Sequence, residues 1–153
     1  MAMLFLYLLS LVCWLGAIIF FSAVVAPSVF QSIPIAEAGK LLSVLFPRYY
    51  LVGYIAGSIA VLLSFYFALT RAARGWWALA TVALAIALGL TLYAGVIVRP
   101  RVDAIRTVVE EPTPDPARRA EFDRLHRTSV MLNGAVLLFD LLALAASAAA
   151  LSP

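Results

Sequence analysis

The sequence predicts an all-α integral membrane protein. It reads as a four-helix bundle with a short amphipathic helix in the first loop and a helical hairpin extension between helices 3 and 4. Three observations carry that reading. First, 65% of the 153 residues are hydrophobic and only 12% are charged, whereas a soluble domain is about 45–50% apolar and about 25% charged. Second, mean hydropathy is +1.04. Third, the apolar residues fall into four runs, each near the roughly 20 residues that a helix needs to cross a hydrocarbon core. The spans lie at about 4–26, 49–69, 76–98 and 127–150, within one domain over residues 1–153.

The first run, Met1–Ala26, has no Lys or Arg before it, and Pro27 follows the small residue that would serve as a cleavage site. It therefore reads as a transmembrane helix and not as a signal peptide. The residue before a proline disfavours helical geometry, so the helix is expected to end before Pro27. In the loop beyond, Ile35–Phe46 spaces Glu37, Lys40 and Ser43 among apolar residues at helical intervals. This predicts a short interfacial helix. Phe46-Pro47-Arg48-Tyr49-Tyr50 is expected to end it and to anchor the chain at the membrane boundary.

The second span, Tyr49–Leu69, carries Gly53, Gly57 and nearby Ala60 on one side. Small residues four apart allow close helix approach in lipid, and ordinary intramolecular packing is the simplest use of them. Thr70–Gly75 is a tight basic turn, and Trp76 and Trp77 open the third span as interfacial belt residues. That span contains Thr91 and Tyr93 and reaches Arg99-Pro100-Arg101. Pro100 should kink it, with the helix continuing to about Val109. The proline-rich, acidic segment Glu110–Pro116 is the turn of the hairpin. Asp115-Pro116 reads as an N-cap followed by proline at the first helical position. A polar helix, Ala117–Leu125, then runs directly into the fourth span.

Loop charge orients the chain. Lys40 and Arg48 follow the first span; Arg99, Arg101, Arg106, Arg118, Arg119 and Arg124 follow the third, with Arg127 at its edge. The second loop holds only Arg71 and Arg74. The positive-inside rule puts the first and third loops, and with them the 99–127 hairpin, in the cytoplasm and both termini outside the cell membrane. The formal net charge is only +3, and the basic residues sit in loops, which suits a bilayer surface and gives no nucleic-acid site. The single cysteine, Cys13, allows no intramolecular disulfide.

The candidate site is a polar stripe on the fourth span. His126, the only histidine, is followed by Ser129, Asn133 and Asp140 at +3, +7 and +14, and such residues share one helical face. A polar stripe on a lipid-soluble helix must face protein or water. A charged carboxylate at the depth of Asp140 costs about 2.5–3.5 kcal/mol on insertion scales. By depth, its expected partners are Ser64, Cys13 and Ser10. Arg99 and Arg101 serve as positive-inside anchors or as contacts to an anionic head group, and Tyr93 is a secondary candidate.

No CxxC, HExxH, Walker, GxSxG or GxGxxG motif occurs, so soluble-type hydrolase or nucleotide chemistry has no support. The leading function is non-enzymatic: binding or translocation of a small solute, ion or metal through the stripe. A chain this small would need a second copy to enclose a path. The first alternative is a haem-binding membrane redox protein with His126 as the one axial ligand the chain can supply. His126 is also the residue that a bound metal would require. The second alternative is a structural or assembly partner that docks through the charged hairpin. In every case the bilayer is the first partner.

Several segments together resemble a family. They are Gly16, Phe20, Pro27 and Phe30; Ala38-Gly39; Leu45-Phe46-Pro47-Arg48-Tyr49-Tyr50; Arg99-Pro100-Arg101; and His126-x-x-Ser129-x-x-x-Asn133. They resemble small four-span membrane proteins that carry a domain of unknown function, similar to a eukaryotic transmembrane protein linked to platinum-drug resistance. The resemblance implies a four-helix membrane domain and the export or handling of a small or metal-like solute. It implies no reaction, and Asp140 has no place in its pattern.

Overall fold

The computed structural model describes residues 1–109 and 115–152. Among them there is no strand, and four helices are long and apolar enough to cross a membrane. The elements are α1 (Ala2–Phe20), a π-helical turn (Phe21–Val25), α2 (Ala26–Ser32), α3 (Ile35–Thr70), α4 (Arg74–Tyr93), a second π-helical turn (Ala94–Val98), α5 (Arg99–Val109) and α6 (Pro116–Leu151).

Two expected helix ends move. The first helix does not stop before Pro27 but continues to Ser32. A proline in an α-helix has no N–H to donate and clashes with the carbonyl four residues back. Here the chain widens before the proline arrives, and the Ala26 N–H reaches back five residues to the Phe21 carbonyl. The same solution recurs before Pro100, where the Arg99 N–H bonds the Ala94 carbonyl. The third helix therefore bends and continues into α5, as expected, but through a π turn. The real break is at Ile33, which is extended (φ −139°, ψ 157°) and stands before Pro34.

The interfacial helix expected over Ile35–Phe46 is not separate. It is the first part of α3, which passes through Pro47 without ending. Side chains reinforce the backbone around that proline: Ser43 Oγ donates to the Lys40 carbonyl at 2.7 Å and Arg48 Nη1 to the Val44 carbonyl at 3.0 Å. The N-cap of α6 is as expected, with the Asp115 carboxylate accepting the Ala117 N–H at 3.1 Å behind Pro116. The rest of the expected turn, residues 110–114, lies outside the described residues.

Small residues set the packing. Helices in lipid gain little from apolar burial against one another, so they associate by close contact. Ala56 and Ala60 of α3, Ala80, Ala83 and Ala87 of α4, and Ala143 and Ala146 of α6 are all buried in one core. The large core members Tyr7, Leu11, Trp14 and Ile18 come from α1. Gly53 and Gly57 do serve internal packing: both lie against the Trp14 ring. A Cβ on Gly57 would come within 2.7 Å of that ring, and one on Gly95 within 2.8 Å of the Tyr50 ring. Trp77 is no belt residue. It is fully buried, packed edge-on to Tyr7 at 5.6 Å and against Phe67 at 4.9 Å, while Trp76 is exposed. The outward faces carry exposed apolar residues such as Phe5, Leu62 and Leu138, as lipid contact requires. The α5–α6 hairpin has its own small core of Val98, Ile105 and Leu125.

Gly57→Ala should lower stability by about 1–3 kcal/mol, because Trp14 has no room to yield. Gly89→Ala, where an added Cβ meets nothing within 4 Å, should stay within about 0.5 kcal/mol. Unfolding of the two variants in mixed micelles checks the difference.

Candidate functional site

Where α1 gives way to its π turn, the bundle opens into a cavity of about 520 Å³. That size falls within the roughly 300–1,000 Å³ of small-molecule sites. α1, α2, α3, α5 and α6 all contribute to its lining. Its wall is aromatic: Phe21, Phe30, Phe46, Tyr49, Tyr50 and Phe122. Phe21 stacks on Tyr49 at 4.8 Å and meets Phe46 at 5.1 Å, and Phe46 stacks on Tyr50 at 6.2 Å. The boundary anchors of the sequence thus line an interior surface as well.

Three of the four stripe residues, His126, Ser129 and Asn133, line this cavity, and so does Arg99. Asn133 is the best held. Its Oδ1 accepts from Tyr49 Oη, and its Nδ2 donates to Ser22 Oγ at 2.8 Å. One amide therefore joins α6, α3 and the π turn that follows α1. His126 is exposed and lies parallel to the Phe122 ring, 6.3 Å away at 4°. Arg99 pairs with Asp103 at 3.1 Å, one helical turn further along. Arg101 and Tyr93 are exposed and line no part of the cavity.

Asp140 is on the same side of α6 but outside the cavity. It is fully buried, and neither carboxyl oxygen has a hydrogen-bond partner among the described residues. The partners expected by depth are engaged or elsewhere. Ser10 donates to the Leu6 carbonyl, Ser64 donates to the Val61 carbonyl and accepts from Thr81, and Cys13 is exposed. Seven residues beyond Asp140, Ser147 closes the stripe. It donates to the Ala143 carbonyl at 2.7 Å, so Tyr7 Oη must be the donor in their 2.6 Å hydrogen bond. His126, Asn133, Asp140 and Ser147 therefore follow one another at intervals of seven, the spacing that keeps a seam facing its neighbours in a left-handed bundle.

Sequence reading missed Ser22, Tyr49, Asp103 and Ser147 as parts of this system. Ser22 and Ser147 are lone polar residues in apolar runs, a signal that was available. Tyr49 and Asp103 carry no signal until the helices are placed. Among the described residues, no group of three or more His, Cys, Asp or Glu side chains could hold a metal ion.

Replacing Asp140 by Leu should stabilise the protein by about 1–3 kcal/mol, because a buried carboxyl that lacks partners loses its hydrogen bonds to water without recovering them. Asn133→Ala should cost at least about 1 kcal/mol, because it strands the Tyr49 hydroxyl. Thermal unfolding in detergent would register the opposite signs.

Residues 9–111 match the family model described as Domain of unknown function (DUF4149). The match takes in α2 through α5 and most of α1, and it stops short of α6, including His126-x-x-Ser129-x-x-x-Asn133. No curated protein and no solved structure matches the chain.

Proposed function

The chain belongs to the DUF4149 family, and from that premise we propose that this multi-pass membrane protein is a non-enzymatic binder of a small solute, held in the cavity between α1, α3, α5 and α6. The observation that carries the proposal is the convergence of Arg99, His126 and Ser129 on a cavity lined largely by aromatic and aliphatic side chains. A few polar groups set in an apolar pocket are the usual composition of a small-molecule site.

Binding is better supported than translocation. Leu137 is the lining residue furthest along α6, and Asp140 and Ser147 beyond it lie in closed core. A metal or ion cargo has less support than an organic solute, since the cavity carries one histidine and one carboxylate on separate helices. The haem alternative rests on His126 alone, and a Soret band in purified protein would replace the present reading with it. Assembly through the charged hairpin remains compatible with solute binding. By the loop charges, we place the cavity at the cytoplasmic side of the cell membrane, with the hairpin cytoplasmic and both termini outside. Likeness to a transmembrane protein linked to platinum-drug resistance would fit a solute-handling role, and it adds nothing about which solute.

Gly134 tests the site, since it lines the cavity and a Cβ there meets nothing within 4 Å. In lipid nanodiscs, a diazirine-bearing fatty alcohol should label peptides that line the cavity, and Gly134→Phe should suppress that labelling. Asp140→Asn should leave it unchanged. Equal labelling of the wild type and Gly134→Phe would remove the cavity as a site.

A further inference from the structure

Towards the bundle core, the hydrogen-bonding groups of the cavity already have partners, because Asn133 is tied to both Tyr49 and Ser22. What remains there for an occupant is apolar and aromatic surface. Towards the hairpin the arginines are engaged too: Arg99 Nη2 pairs with Asp103 at 3.1 Å, and Arg106 is not free. On α6, Ser129 and His126 line that end of the cavity and have no hydrogen bond among the described residues. Ser129 departs from the habit of the chain. A helical hydroxyl commonly donates to its own backbone a turn earlier, and Thr81, Thr91, Ser147 and even the adjacent Thr128 do so. Ser129 makes no such bond. His126, three residues before it on the same face, lies parallel to the Phe122 ring, and both its nitrogens are without partners among the described residues.

Resting on the binding reading above, we propose that the cavity takes a neutral apolar alcohol, with its hydroxyl between His126 and Ser129 and its hydrocarbon along the aromatic wall. A neutral imidazole has one N–H donor and one acceptor nitrogen, and a serine hydroxyl both donates and accepts. Such a pair is met in full by a group that does both, as an alcohol does. A carboxylate or a ketone only accepts and an ammonium only donates, so each leaves part of the pair unused. Residues three apart on a helix have Cβ atoms about 5–6 Å apart, close enough for one oxygen to reach both side chains. The hydrocarbon has a surface to follow. Leu137, the lining residue furthest along α6, stands about 12 Å beyond Ser129 on the helix axis, and Phe21, Phe46 and Tyr49 line the same cavity.

Three photolabels of one chain length carry the same diazirine and differ only in the head: a fatty alcohol, its methyl ether and the fatty acid. The full chain is placed in phosphatidylcholine nanodiscs, and labelling of cavity peptides is normalised to labelling of lipid-facing ones. The alcohol should exceed the ether about three- to tenfold, the contribution of one neutral hydrogen bond, and should exceed the acid as well. Ser129→Ala should bring the alcohol down to the level of the ether, since each then makes one bond, to His126. That variant loses no hydrogen bond within the described protein, so its folding is preserved. Thr128→Ala removes a hydroxyl that does not line the cavity and should leave the preference for the alcohol as in the wild type. Equal labelling of the wild type by alcohol and ether, or stronger labelling by the acid, overturns the alcohol class while the binding site stands. A preference that survives Ser129→Ala overturns the placement of the hydroxyl. Absence of cavity labelling by all three overturns the binding reading itself. Unlabelled dioleoylglycerol distinguishes two sources of the same hydroxyl: competition identifies a bilayer lipid, and undiminished labelling identifies a free alcohol.

Discussion

The amide of Asn133 is the joint on which the open end of the bundle depends. In a medium without water, a polar side chain that lacks a partner is costly, so a single amide that satisfies two hydroxyls draws their helices to a fixed place. Tyr49 brings α3, and Ser22 brings the π turn that follows α1. Below this junction the helices close over alanine and glycine. Above it they diverge, and the aromatic residues of α3 line the resulting space without filling it. The cavity is thus a consequence of where polar partners were available, and the hydrogen-bonded junction forms part of its wall.

The two π turns serve the same end. Each precedes a proline by the same interval, Phe21–Val25 before Pro27 and Ala94–Val98 before Pro100. An extra residue in a turn changes the direction in which later side chains project, and such bulges are frequent at functional sites. One places Ser22 against Asn133. The other leads into α5 and sets Arg99 and Asp103 at the cavity, with Gly95 permitting the approach to Tyr50. The prolines do not terminate these helices; they fix where each one widens.

Asp140 stands apart from this logic. The Asn133 amide and the Ser147 hydroxyl on the seam have partners from other helices, and the carboxyl between them has none among the described residues. A buried polar group left unsatisfied in an otherwise well-paired core marks a cost that packing alone does not account for. It lies between the cavity junction and the Tyr7–Ser147 pair on the polar line of α6.

Hydropathy and helical spacing were enough to determine the class, the number of spans and the N-cap at Asp115. Each follows from local rules: an apolar run long enough to cross lipid, a period of 3.6, and an acid before a proline. The same rules misplaced the helix ends at Pro27 and Pro47, because whether a proline breaks a helix depends on backbone hydrogen bonds that neighbouring turns and side chains re-supply. They also joined Asp140 to His126 as one site, since a shared face is local information and depth within a closed core is not. Only the tertiary structure brought Ser22, Tyr49, Arg99 and Asp103 to the stripe. Those residues lie far apart in the chain, and what unites them is the close approach of helices that small residues permit and that unpaired polar groups in lipid compel.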